Sequence, residues 1–230
     1  MNLPNGLTVG RIAITPLIAW LPFWPATAPR MIAFILFLVA AVSDYADGVL
    51  ARSRKQETTL GKLLDPLADK LLLIGTFVPM WALMQSANSG MPASSFATSD
   101  LSPHTLPFVT PWGDMSLPWW IVVIVLGREL AMTIFRQAAA RRGVVIAAIG
   151  PAKVKTIFQL IWQGAAYFWF VVATMALTRE WHGAGWHGVA LFIGTVGTIV
   201  MSVAVLLTLY SLWLYVSRYG RVFVQARARG

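Results

Sequence analysis

The stretch DYADGVLARSRKQETTLGKLLDPLAD, residues 44–69, decides how the rest of the chain is read. Its four aspartates, Asp44, Asp47, Asp65 and Asp69, belong to a chain with only nine acidic residues. Spacings of three and of four place each pair on one face of a helix. An apolar run over 31–43 leads into the first pair, and another over 71–83 follows the second. The segment between the two helices, about 53–59, is short, which makes them antiparallel neighbours. All four carboxylates then converge at one end of the helix pair.

Composition says what surrounds that pair. The chain has 230 residues, of which 57% are hydrophobic and 12% charged. An average soluble domain carries about 25% charged residues. At ~20 apolar residues per crossing, the apolar content suffices for roughly six spans. These figures exclude an ordinary soluble domain, a disordered tail and a disulfide scaffold. With no cysteine there is also no Fe–S cluster and no thiol nucleophile. The expected fold is an all-α integral membrane protein, a single membrane domain over 1–230. Its six transmembrane helices fall at about 7–25, 31–53, 60–84, 118–141, 152–177 and 187–217. Closed helices satisfy every backbone amide in lipid, and the alternating runs of a β-barrel are absent. The first apolar stretch is read as a retained helix and not a signal peptide. Only Arg11 precedes it, and Pro29 would follow a cut at Ala26-Thr27-Ala28.

The longest connection, 85–117, contains Pro92, Pro103, Pro107 and Pro111 with many Ser and Thr, and no regular structure is expected there. The net charge of +9 reads as a membrane bias rather than as nucleic-acid binding. With both termini cytoplasmic, only Arg30 and Arg179 fall outside, and every other Lys and Arg falls on the inner side or inner half. The loop 85–117 is then extracytoplasmic, and the basic tail after Ser217 obeys the positive-inside rule and attracts anionic lipid. Trp20, Trp24, Trp81, Trp112, Trp119, Trp120, Trp181 and Trp186 fall at the outer interface, as anchors and packing residues. His104, His182 and His187 also fall outside, so a Ser/His/Asp site is unsupported.

Four carboxylates at membrane depth require compensation. A charge near a helix centre costs roughly 2.5–3.5 kcal/mol by insertion scales, and like charges repel. Arg52, Lys62 and Lys70 are near, but divalent cations fit better. Oxygen-only ligands without His or Cys suit magnesium, manganese or calcium. Four carboxylates from two helices have room for two ions. Gly48, Ala51 and Gly61 leave the backbone open to a flat ligand or to a packed helix.

The string Asp44-x2-Asp47-Gly48-x2-Ala51-Arg52-x8-Gly61-x3-Asp65-x3-Asp69 resembles the signature of the CDP-alcohol phosphotransferase family, with every fixed position present. The resemblance covers the whole chain and implies that family's membrane fold. It also implies a reaction: an acceptor hydroxyl attacks the lipid-side phosphorus of a CDP-linked donor, and CMP leaves. Carried over, Asp44, Asp47, Asp65 and Asp69 hold two divalent cations, magnesium or manganese. Asp69 is also the base, and Gly48, Ala51, Arg52 and Gly61 line the CDP site. Phosphoryl transfer needs charge neutralisation and positioning above all, and two metals supply both.

Gly127-Arg128-Glu129-Leu130, Arg136, Lys153 and Lys155 lie in the inner parts of helices four and five. The start Asn2-Leu3-Pro4-Asn5-x2-Thr8-x2-Arg11, with Gly-Arg-Glu-Leu and Lys-x-Lys-Thr, is similar to the bacterial branch that makes phosphatidylglycerophosphate. That branch implies CDP-diacylglycerol and sn-glycerol 3-phosphate as substrates. It also implies a bacterial cytoplasmic (inner) membrane location and an active site facing the cytoplasm. Arg128, Arg136, Lys153 and Lys155 are then candidates for the acceptor phosphate. A structural ion pair is the alternative for Arg128 and Glu129. Synthesis of cardiolipin or of phosphatidylinositol phosphate is the alternative within the family. A cation or proton transporter is the alternative outside it, although these acids stop at one side of the membrane. Some members of the family are homodimers, and the sequence leaves the oligomer open.

Overall fold

The computed structural model describes the backbone of residues 3–54, 59–85, 101–141 and 150–227, and the side chains of 5–44, 64–85, 101–141 and 154–217. Among them are six α-helices, as expected. They are α1 (Leu3–Trp20), α2 (Thr27–Arg54), α3 (Thr59–Leu83), α4 (Trp119–Ala140), α5 (Gly150–Thr178) and α6 (Ala184–Arg227). A 3-10 turn, Leu21–Phe23, follows α1. Five of the six, all but α4, are long and apolar enough to cross a membrane. Helix α4 carries Arg128, Glu129 and Arg136 within its length. Helix α6 outruns its apolar stretch. At 44 residues it measures about 66 Å, twice the ~30 Å hydrocarbon core. It continues past Ser217 because Arg, Val, Gln and Ala hold a helix once the preceding turns have nucleated it.

The chain divides into two compact units. In the first, residues 1–118 and 163–198, α1 packs on α2 and α3. The approach of α3 is close because Gly75 has no side chain, and a Cβ there would lie 2.8 Å from Thr15 Cγ2. The buried Tyr167 hydroxyl donates to the Ile18 carbonyl at 3.1 Å, which ties α5 to the end of α1. Tyr167 also stacks on Phe37 at 5.6 Å. Arg30, expected only to mark the outer side, is fully buried. Its Nε donates to the Pro22 carbonyl at 2.9 Å, its Nη2 to the Pro103 carbonyl at 2.5 Å and its Nη1 to Thr174 Oγ1. One guanidinium thereby joins α2, the turn before it, the 103 region and α5.

The connection expected to be irregular contains a hairpin. Strands β1 (Phe108–Thr110) and β2 (Gly113–Met115) pair antiparallel, with Thr110 opposite Gly113. Pro111 starts the turn, and Gly113 ends it at φ +119°, a conformation that favours glycine. Composition alone hid this element because Pro, Ser and Thr read as loop. Its order comes from tertiary bonds. Trp169 Nε1 donates to the carbonyls of Leu106 (3.2 Å) and Pro107 (3.0 Å), and the amide of Leu117 donates to the carbonyl of Met84 at 2.9 Å. Of the expected interface tryptophans, Trp20, Trp24, Trp81, Trp112, Trp119, Trp120 and Trp181 are exposed. Trp186 is instead buried and stacks on Trp169 at 6.0 Å.

The hairpin lies against α6 at Gly194 and Gly197. A Cβ at Gly194 would overlap the Val109 carbonyl, and one at Gly197 would overlap the Phe108 ring. Gly194→Ala is therefore expected to destabilise the protein by about 1–3 kcal/mol, because a backbone carbonyl cannot step aside as a side chain can. Thermal unfolding in detergent checks this, with the exposed Gly185→Ala as the control expected to unfold near wild type.

The second unit, residues 119–162 and 199–230, contains α4, the start of α5 and the later part of α6. On α4, Ile121, Val125, Arg128 and Met132 are buried at helical spacing, so Arg128 sits in line with apolar side chains.

Candidate active site

Asp44 lies near the end of α2, and Asp65 and Asp69 lie in the first half of α3. The structure brings them together through α1. Arg11, 2% exposed, sends Nη1 to Asp44 Oδ1 at 2.5 Å and to Asp69 Oδ1 at 3.1 Å. A single buried nitrogen thus bridges carboxylates from two helices. One helical turn earlier, Thr8 Oγ1 donates to Asp65 Oδ1 at 2.8 Å. Asp69 is within electrostatic reach of Asp44 and Asp65 as well as Arg11. The side chains of Asp44 and Asp69 are 49% and 58% exposed, so their outer faces are open to a ligand.

Asp47, Gly48, Ala51, Arg52 and Gly61 lie in α2 and α3, but their side chains are outside the described residues. Among the described residues, no group of three or more carboxylate or imidazole side chains closes on one point. Asp44 and Asp69, brought to a shared nitrogen and open outward, are all-oxygen donors of the kind that hard divalent cations take. The chemistry of these two carboxylates fits such ions.

Arg11 and Thr8 were not expected at the acids. A signal for them exists in the sequence. Asn5, Thr8, Arg11 and Thr15 recur at three- and four-residue spacing in an otherwise apolar helix, and all four are buried. A polar row on a membrane helix faces protein or a polar cavity because lipid offers it no partner.

The second unit gathers the other predicted cations. Glu129 Oε1 accepts from Arg128 Nη1 at 2.8 Å and from Lys155 Nζ. Arg128 Nη2 donates to Ser211 Oγ at 2.9 Å, and Arg136 Nη2 donates to the Tyr215 hydroxyl at 3.0 Å. Lys155 is within electrostatic reach of Arg136 as well. Arg128, Arg136 and Lys155 therefore form one cluster, partly neutralised by Glu129. Lys153 is in α5, with its side chain outside the described residues. The structural ion pair considered for Arg128 and Glu129 exists, and Lys155 shares it. Ser211 and Tyr215 were missed, because Ser and Tyr in an apolar helix carry no sequence pattern that marks them.

Comparison with known proteins shows the family. The model of the CDP-alcohol phosphatidyltransferase family matches residues 1–216. A protein of Mycobacterium tuberculosis named probable phosphatidylglycerophosphate synthase is 30% identical over 220 residues, 94% of this chain and 81% of its own. The CDP-diacylglycerol–glycerol-3-phosphate 3-phosphatidyltransferase of Bacillus subtilis is 33% identical over 172 residues, 70% of this chain and 73% of its own. The protein of the same name from Blochmanniella floridana is 27% identical over 230 residues, 99% of this chain and 96% of its own. With its apolar helices and its paired aspartates on α2 and α3, this chain belongs to the CDP-alcohol phosphatidyltransferase family.

Proposed function

We propose that the chain transfers the phosphatidyl group of CDP-diacylglycerol to sn-glycerol 3-phosphate, giving phosphatidylglycerophosphate and CMP. The observation that carries this reading is the Arg11 bridge between Asp44 and Asp69, which presents two carboxylates from adjacent helices outward at one place. The names of the relatives point to the same acceptor.

In this reading the chain spans the bacterial cytoplasmic (inner) membrane six times, with both termini and the aspartates on the cytoplasmic side and 85–117 outside. Residues 1–230 act as one membrane domain. Helix α4 is the sixth span, the one that apolar length does not mark, and its Arg128 and Glu129 cross as a pair rather than as lone charges. Asp44, Asp47, Asp65 and Asp69 hold two divalent cations, magnesium or manganese, which when bound neutralise the phosphate oxygens and orient the attacking and leaving oxygens. Gly48, Ala51, Arg52 and Gly61 line the CDP site.

Asp69 takes the proton of the acceptor hydroxyl. The freed oxygen forms a bond to the lipid-side phosphorus, and the phosphorus–oxygen bond to CMP breaks, its electron pair leaving with CMP. Arg11 holds the Asp69 carboxylate in place, and Thr8 does the same for Asp65. Arg128, Arg136, Lys153 and Lys155 bind the acceptor phosphate. Of the three whose side chains are described, Arg128 and Lys155 share the Glu129 carboxylate and Arg136 bonds the Tyr215 hydroxyl, which leaves a surplus of positive charge suited to a phosphomonoester.

The test is CMP release by the purified protein in detergent with CDP-diacylglycerol and magnesium. Glycerol 3-phosphate, inositol phosphate and phosphatidylglycerol are supplied separately. Release with glycerol 3-phosphate alone is expected. Release with another acceptor moves the reading to cardiolipin or phosphatidylinositol-phosphate synthesis, and no release with any acceptor moves it to a transporter. Arg136→Gln is expected to raise the KM for glycerol 3-phosphate about tenfold or more with the KM for CDP-diacylglycerol unchanged, as loss of a charge-assisted contact to phosphate requires. An unchanged acceptor KM makes Arg136 structural.

A further inference from the structure

Arg136 has an unusual setting for an exposed arginine. Such a side chain ordinarily samples many rotamers in water. Here it is pinned to a fully buried residue. Tyr215, with no exposed surface, accepts from Arg136 Nη2 at 3.0 Å through its hydroxyl, and its ring lies 5.6 Å from the guanidinium carbon. The same ring lies 6.0 Å from the guanidinium carbon of Arg128, eight residues earlier on α4. One turn before Tyr215 on α6, the buried Ser211 accepts from Arg128 Nη2 at 2.9 Å and donates to the Thr208 carbonyl at 3.0 Å. Two arginines on α4 are thus fixed by two side chains, four residues apart, on α6.

We infer that Tyr215 is a positioning residue for the acceptor phosphate, holding the Arg136 guanidinium against its ring and hydroxyl, with Ser211 doing the same for Arg128. This rests on the reading of Arg128 and Arg136 as phosphate-binding groups. A hydroxyl contact beside an aromatic ring restricts a guanidinium, whose remaining N–H groups then sample fewer directions. Immobilising the donors before the anion arrives removes rotamer entropy from the binding step. Glu129 takes donors from Arg128 and Lys155, whereas Arg136 donates to the Tyr215 hydroxyl. The Tyr215 hydroxyl orients Arg136 by accepting from one of its N–H groups. Tyr215 touches neither donor nor reacting phosphorus in this account; it acts through Arg136.

Tyr215→Phe is the experiment, because it keeps the buried ring and removes the hydroxyl that accepts from Arg136. The KM for glycerol 3-phosphate is expected to rise about 3–10-fold, the equivalent of one lost hydrogen bond, with kcat and the KM for CDP-diacylglycerol within twofold of wild type. Inorganic phosphate, used as a competitive inhibitor against glycerol 3-phosphate, is expected to weaken by the same factor. Ser211→Ala, in a position where alanine fits, is expected to shift both constants in the same direction. Arg136→Gln is run beside them. If Arg136→Gln raises the acceptor KM and Tyr215→Phe changes neither constant, the positioning role is overturned while the phosphate reading stands. If Arg136→Gln also changes neither constant, the phosphate reading falls and the positioning role with it. A Tyr215→Phe variant with lower thermal stability and lower kcat but an unchanged acceptor KM marks Tyr215 as packing alone and overturns the inference.

Discussion

Asp69→Asn is expected to lower CMP release by about 10³-fold or more while the protein still folds. A positioned general base contributes roughly 10²–10⁴-fold to a rate, and this carboxylate also serves as a cation ligand in the proposed site. Asparagine is nearly isosteric but neither takes the proton nor supplies the charge. Folding survives for three reasons. The Asp69 side chain is 58% exposed, so the new amide can hydrate. The asparagine oxygen can still accept from Arg11 Nη1, which lies 3.1 Å from the present oxygen. Removing one negative charge also relieves repulsion from Asp44 and Asp65, both within electrostatic reach. CMP release and thermal unfolding in detergent, measured on one preparation, check the pair of claims. Activity within tenfold of wild type removes Asp69 as the base.

The second large effect is expected from Arg11→Gln, which lowers activity about 10²-fold and stability together. The guanidinium is buried while Asp44 and Asp69 are half exposed. Breaking a fully buried ion pair by removing one partner costs about 3–5 kcal/mol. Solvent reaches both carboxylates here, so the expected loss is roughly 1–3 kcal/mol. The activity loss has a separate origin. Without the shared nitrogen, Asp44 and Asp69 repel and spread, and a displacement of about 1 Å at a positioned group can cost 10²-fold in rate. Arg11→Lys keeps the charge without the planar fork and is expected to fall between wild type and Arg11→Gln in both measurements. Wild-type turnover by Arg11→Gln with a lowered unfolding temperature would confine Arg11 to stability.

The aspartate motif and the helices were legible because both are local. Apolar runs of about 20 residues announce helices whatever their neighbours are, since lipid leaves the backbone no other partner. The spacings in 44–69 place the acids on helix faces without any knowledge of the rest of the chain. The helix ends were less legible. Helix α6 runs to Arg227, and α2 begins at Thr27, because a helix continues beyond the apolar stretch that reveals it.

What joins distant segments lay beyond the sequence. The order of 101–118 depends on Gly194 and Gly197, far along the chain, which let β1 approach α6. Arg30 reads as an orientation marker until Pro103 and Thr174 are found at its guanidinium. Arg11 is one more basic residue in a chain with eighteen until its nitrogen is seen between Asp44 and Asp69. Local periodicity therefore determined the membrane-helical class and the acidic motif, because each is carried by residues within a turn or two of one another. Packing alone decided which cation faces the acids, which tyrosine holds an arginine and which loop is ordered. Those choices depend on pairs separated by tens of residues, and no local pattern encodes the partner.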